Sequence, residues 1–233
     1  MPKIDNNSSI SQSGPQSETP LAQQIAALRQ MSGAMQLRAL TELPQPEKLL
    51  DALPATDLLR LVHNIGPDLQ LITMLNQEQL RLVLDLELWD EWSVDSDEAL
   101  RWLEVILENE EAAARRLLAA LDPELLLVVL KKYVTVGGGL GDIINSEDFQ
   151  GEWDHTFDEV FYLKFADEDS GQLILKLLDL LYSGNHQLYR SLMLGVETEL
   201  LSELEETAWQ FRAARLADEG LPETFSLAEL LAC

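Results

Sequence analysis

Apolar residues recur along this chain at the three- and four-residue spacing of amphipathic helices, and one such helix is written three times. Residues 53–63, 74–84 and 120–130 align without gaps. Each places an acid in the first turn (Asp57, Glu78, Glu124), then apolar residues in register: Leu59, Leu80 and Leu126, followed by Val62, Val83 and Val129. A short amphipathic helix cannot bury its apolar face alone, so the repetition predicts helices stacked on copies of themselves.

The same spacing continues around the copies. Leu21, Ile25 and Leu28 predict a helix opening at Thr19-Pro20, and Gly66-Pro67 ends the first copy, glycine as terminator and proline as the residue that cannot continue. Asn76, Asp95 and Asp122 stand where N-caps are needed. Ala99, Trp102, Leu103 and Ile106 repeat the 0, 3, 4, 7 pattern, and Trp89, Trp92 and Trp102 are read as core anchors of helices. Past Tyr133, Gly137 to Gly141 break the helix. Val160 to Phe165, β-branched and aromatic, reads as the one strand, paired with residues around Ile143 or from Trp153 to Phe157. Helices resume near Ser170, and the last long one, about 199–219, is expected to bury Leu201, Leu204, Ala208 and Phe211 before Gly220-Leu221-Pro222. The fold class is therefore all-α: a right-handed superhelical stack of short helix pairs with one small β-hairpin insertion. The expected division is a disordered tail at 1–18, a helical-repeat domain at 19–134, and an acidic Gly-rich loop and hairpin at 135–165. C-terminal helices at 166–222 and a tail at 223–233 complete it.

Charge changes the picture of function more than of fold. Forty-one Asp and Glu against 16 Lys and Arg give a net charge of −25. That field repels phosphate backbones, and no basic stripe overrides it, so no nucleic-acid partner is expected. A partner, if protein, is expected to present a basic surface. The single cysteine, Cys233, leaves no intramolecular disulfide and no cysteine metal site. With no secretory signal and no apolar run of membrane-spanning length, a soluble, cytoplasmic chain without membrane insertion is expected.

Candidate chemistry is sparse. Asp154, His155, Asp158 and Glu159 are the metal candidates, since carboxylate oxygens suit magnesium or calcium, but their spacing matches no EF-hand and a solvated acidic loop is the ordinary reading. His63 takes the repeat position of Leu84 and Leu130 and reads as a core histidine. Gly137 to Gly141 lack a phosphate loop's Gly-Lys-Ser/Thr ending, and no nucleophile elbow or triad is present. The expectation is no enzyme and no cofactor. From Tyr133 through Leu163 there is no Lys or Arg. The acids there, beside Phe161, Tyr162 and Phe165, make that strand the expected protein-binding surface.

The runs 58–66 and 84–89, the strand ending Tyr162-Leu163-Lys164-Phe165, and Ser202 to Glu206 followed by Arg215 to Asp218 resemble an uncharacterised bacterial all-helical family, a domain of unknown function. The resemblance covers about residues 43–222 and implies no catalytic residue. Its members are often longer, which implies a shorter or truncated form here. More distantly, the Leu-Pro-x-x-Asp/Glu-Leu-x-x-Leu unit is similar to the N-terminal helical superhelix of MgtE-type magnesium transporters, itself like the middle domain of flagellar motor switch proteins. A magnesium role does not come with that likeness, because the transporter's regulatory and membrane regions have no counterpart here. The function expected is a non-catalytic protein-interaction or scaffold module on a helical-repeat surface. The alternative is a divalent-cation-responsive regulatory domain.

Overall fold

The computed structural model describes residues 20–139 and 152–232. The chain opens with α1 (Pro20–Leu28), α2 (Gly33–Thr41) and α3 (Pro46–Asp51), and the first repeat copy forms α4 (Ala55–Ile65). Then α5 (Leu69–Met74) leads into the second copy, α6 (Gln77–Glu87). A hairpin, β1 (Trp89–Asp90) and β2 (Ser93–Val94), precedes α7 (Ser96–Glu108), α8 (Glu111–Leu118) and the third copy, α9 (Pro123–Tyr133). Strands β3 (Val134–Gly137), β4 (His155–Thr156) and β5 (Tyr162–Phe165) form an antiparallel sheet in the order β3-β5-β4. The chain continues through α10 (Glu168–Gly184), α11 (His186–Thr198), α12 (Leu201–Asp218) and α13 (Leu227–Ala232). Among the described residues the fold is mainly all-α with two small antiparallel sheets.

Local chemistry explains where the helices begin. Asn76 and Gln79 close a reciprocal capping box on α6, backbone N–H to side-chain oxygen at 2.9 and 3.0 Å. Asp68, Asp95, Asp167 and Asn185 cap α5, α7, α10 and α11 through their side-chain oxygens. Gly66 ends α4 in a positive-φ conformation (80°) that a side chain would strain.

The aligned apolar positions of the three segments lie in the core. Leu59, Leu80, Leu126, Val62, Val83 and Val129 are all buried. Helix α4 packs on α6; α12 packs on both α6 and α9. Leu84 of α6, Trp102 and Ile106 of α7, and Leu126 and Val129 of α9 surround one void of only about 10 Å³. Two copies thus share close-packed interior with α7. The repeat's polar positions are occupied too. Arg60 donates to Leu230 O, and Arg81 to Ala120 O at 3.0 Å.

Several expectations are corrected. The strand at 160–165 narrows to Tyr162–Phe165, and one of its neighbours, His155–Thr156, lies within the expected 153–157. Its longer neighbour is Val134–Gly137, which the sequence reading gave to a helix end and a glycine break. Residues 223–233, read as a tail, include α13, because Leu230 buries completely against α4. Leu21 and Phe211, expected inside, are exposed, Phe211 by 49%. Ile143, the N-cap Thr19, the tail at 1–18 and the acids Asp142, Glu147 and Asp148 lie outside the described residues.

Candidate functional site

The residues singled out in the sequence are brought to one sheet but not to one site. Asp154 Oδ2 accepts from the Phe165 backbone N–H at 2.8 Å, and Asp158 Oδ1 accepts from those of Val160 and Phe161 at 3.0 Å each. One oxygen of each carboxylate thus helps to turn the chain around β5. The His155 ring meets Phe157 edge-on, centroids 4.4 Å apart, and Glu159 is exposed at φ 57°. Among the described residues, no group of three or more His, Cys, Asp or Glu is placed to hold a metal ion.

The aromatic strand is also not the surface it was expected to be. Phe161 is 0% exposed and packs edge-on against Tyr189 at 6.2 Å, so it cannot anchor a partner. Phe165 is half-buried against Gly171 of α10. Tyr162 is half-buried beside Trp153, ring centroids 6.3 Å apart. Their apolar surface is largely used by the fold itself. His63 is half-buried, its Nδ1 3.2 Å from Glu87 Oε1 across α4 and α6. Burial pushes the Glu87 carboxyl up, and His63 draws it back.

Polar groups concentrate instead under α12. Arg212 and Arg215 stand one helical turn apart and share a face. Asp85, 2% exposed between Leu84 and Leu86 on α6, receives two bonds from Arg215, at 2.6 Å each. Arg215 also donates from Nη1 to Asp122. Asp122 holds the N-cap position of α9, and its side chain serves this ion pair while also bonding Glu124. Arg212, 3% exposed, donates to the backbone carbonyls of Asp85 at 2.5 Å and Phe225 at 2.7 Å. Its guanidinium carbon lies 5.6 Å from the centroid of the Trp89 ring. Burial pushes the Asp85 carboxyl up against the pull of Arg215 and lowers Arg212. Burial would raise Asp122 as well, but hydrogen bonds with Glu124 and Arg215 hold it low. Glu124, bonded to Asp122 and partly buried, is pushed up to about 7.

This clamp ties α12 to α6 and to the start of α9, and the Arg212–Trp89 contact extends it to the β1–β2 hairpin. Trp89 pairs with Val94 and Asp90 with Ser93, which leaves Glu91 (φ 50°) and Trp92 at the tight turn. Lys132 of α9 holds the hairpin from behind, donating to Val94 O at 2.8 Å while pairing with Glu205 of α12 at 3.1 Å. The turn lays Trp92 on Trp209 of α12, centroids 4.8 Å apart and planes tilted by 34°. Trp92, read from sequence as a core anchor, is 62% exposed. Asp90 and Glu91 flank it, and Glu206, one turn before Trp209, is exposed as well. The result is an aromatic platform with an acidic rim.

A model of a family of unknown function, DUF6178, matches residues 14–230. The chain belongs to DUF6178. No curated protein and no solved structure matches it. Membership in DUF6178 therefore assigns no catalytic or ligand residue, and the platform rests on its own geometry. In this DUF6178 chain the sequence concealed that platform. Asp90-Glu91-Trp92-Ser93 sits between Trp89 and Val94, a short hairpin pattern hidden by its two-residue strands. The clamp left only one local trace, the lone acid Asp85 in an apolar run, because its partner Arg215 lies 130 residues away. No helix among the described residues is long and apolar enough to cross a membrane.

Proposed function

We infer that this chain is a non-catalytic protein-interaction module that holds a basic segment of a partner protein on the Trp92–Trp209 platform. The observation that carries the reading is Trp92 itself. A large indole stands 62% exposed on a second indole, on a frame locked by Arg212, Arg215 and Lys132. Exposed aromatic anchors on rigid supports are where binding energy concentrates, and a preordered anchor loses little entropy on binding. The acidic rim and the net charge of −25 select a partner with Lys or Arg around an apolar anchor. Stacked repeat helices, like the MgtE-type unit they are similar to, provide a broad stiff surface for this role. The reading keeps the expected partner and moves the docking surface from Phe161, Tyr162 and Phe165 to the hairpin and α12.

The test is a titration of the full chain, followed by tryptophan fluorescence, with an amphipathic peptide carrying lysines around leucines. Trp92→Ala should weaken binding by about 2 kcal/mol or more, close to thirtyfold. The same peptide with Glu for Lys should not bind. Equal affinities of the parent and Trp92→Ala would overturn the reading.

A further inference from the structure

A groove of about 420 Å³ lies between α10 and the end of β5. Its apolar surface comes from Phe165 and Leu175, both half-buried, and from Gly171. A Cβ on Gly171 would fall 3.0 Å from Phe165, so the glycine lets that ring lie close on α10. Side chains alternate along a strand, which puts Phe165 on the face toward α10 and Tyr162 and Lys164 on the other. Trp153 lies with Tyr162 on that other face. The one basic residue of β5 is therefore not on the groove side.

Every charged residue of the lining is an acid. Asp154, Asp167 and Glu168 rim the groove, and all three are exposed. Asp167 accepts from the backbone N–H and the hydroxyl of Ser170, which holds its carboxyl below the usual range. Asp154 uses Oδ2 on the Phe165 N–H, and its other oxygen remains for a partner. Glu168 makes no hydrogen bond or ion pair among the described residues. These carboxylates do not converge as metal ligands do. An apolar floor under an acidic rim fits a cation carried on an apolar stem. Arginine meets both, because its methylenes lie on apolar surface while its planar guanidinium stacks on an aromatic ring and pairs with carboxylates.

An acidic track joins the groove to the platform. The Ala166 N–H donates to Tyr133 O at 2.9 Å, and the Tyr133 hydroxyl donates to Asp97 Oδ1 at 3.2 Å. Asp95 and Asp97 open α7, immediately after the hairpin that carries Trp92. Burial, the Asp97 bond and the charges of Asp167 and Asp95 push the Tyr133 hydroxyl up to about 12, so acids close on it from both sides. Asp90, Glu91, Asp95, Asp97 and Asp167 are all exposed along this course. Three strand residues, the opening of α7 and the length of a tyrosine amount to roughly 25 Å, which about eight extended residues span.

We propose that this groove is a second anchor of the docking surface and takes an arginine side chain from the same basic partner segment. The inference rests on the platform reading for its first anchor, while the floor and rim of the groove select the arginine. Attachment at the platform makes capture in the groove intramolecular, so a weak contact there adds measurably to affinity.

Calorimetric titration of the full chain with three peptides tests it. The first is the lysine–leucine peptide that probes the platform. The second adds a Gly–Ser spacer of about eight residues followed by arginine. The third carries the arginine before the spacer, so its composition and charge are the same. Each extension is made at either end, and the tighter version is compared. Arginine beyond the spacer should bind about tenfold tighter than arginine before it. Glu168→Lys with Gln172→Lys, at two exposed positions of α10, should cancel that gain and change the unextended peptide by less than about twofold. Trp92→Ala should weaken all three. Equal binding of the two arginine peptides, or a gain that survives the α10 substitutions, would overturn the groove and leave the platform reading standing. A gain cancelled on α10 but untouched by Trp92→Ala would keep the groove and overturn the platform. Absence of binding by all three would overturn both.

Discussion

Asp85→Ala removes the acceptor that receives two bonds from Arg215 and leaves that guanidinium under α12. Breaking a buried ion pair from one side costs about 3–5 kcal/mol, because the remaining charge stays desolvated. Two features reduce the cost here. Arg215 keeps Asp122 as a partner, and a quarter of its side chain reaches solvent. The expected loss is therefore about 2–3 kcal/mol, a large share of the roughly 5–15 kcal/mol that holds a domain together. Replacing both charges, Asp85→Leu with Arg215→Met, should recover much of it, since burial also works against the Asp85 carboxylate. Urea unfolding followed by circular dichroism measures these differences, and a thermodynamic cycle should give a coupling above about 1 kcal/mol. Additive effects, or an Asp85→Ala cost within about 0.5 kcal/mol, would refute the clamp as the element that fixes α12.

Other expectations follow from the same frame. Val62→Asp, Val83→Asp and Val129→Asp each place an unpaired charge in the core and should cost several kcal/mol, seen as loss of the cooperative melt. Glu124 is protonated more readily in the folded chain than unfolded, from 4.5 up to about 7. Its contribution to stability is therefore complete below its unfolded value and lost as pH rises through about 7, and Glu124→Gln should flatten that part of the pH–stability profile. Because one oxygen each of Asp154 and Asp158 is taken by backbone donors, magnesium should raise the melting temperature no more than sodium at equal ionic strength. A magnesium-specific rise that Asp154→Asn with Asp158→Asn abolishes would restore the cation-responsive reading.

Helices written with strong 3.6-residue periodicity were legible in the sequence, and so were the caps Asn76 and Asp95 and the buried valines of the three copies. What was hidden depended on tertiary pairing. Val134 to Gly137 continues the apolar run of α9, and only pairing with Tyr162 to Phe165 makes it a strand. The β1–β2 hairpin is too short for periodicity to register, so Trp92 was counted among the core residues. Leu227 and Leu230 give α13 one turn of pattern, and its docking depends on α4, far upstream. The acidic loop drew attention by composition, while the platform arises from residues far apart that α12 brings together. An apolar run interrupted by one acid, Leu84-Asp85-Leu86, was the trace of the clamp in sequence. It predicts a buried partner without saying which arginine supplies it.

The five tryptophans are Trp89, Trp92, Trp102, Trp153 and Trp209. Their indole N–H signals can be followed in a proton–nitrogen correlation spectrum during titration with the lysine–leucine peptide. The measurement reports where a basic partner docks, because Trp92 and Trp209 form the platform and Trp153 lies beside Tyr162 on the sheet. The account predicts shifts at Trp92 and Trp209, with Trp102 and Trp153 unmoved. Movement of Trp153 with Trp92 and Trp209 unmoved would contradict it and return the docking surface to the aromatic strand.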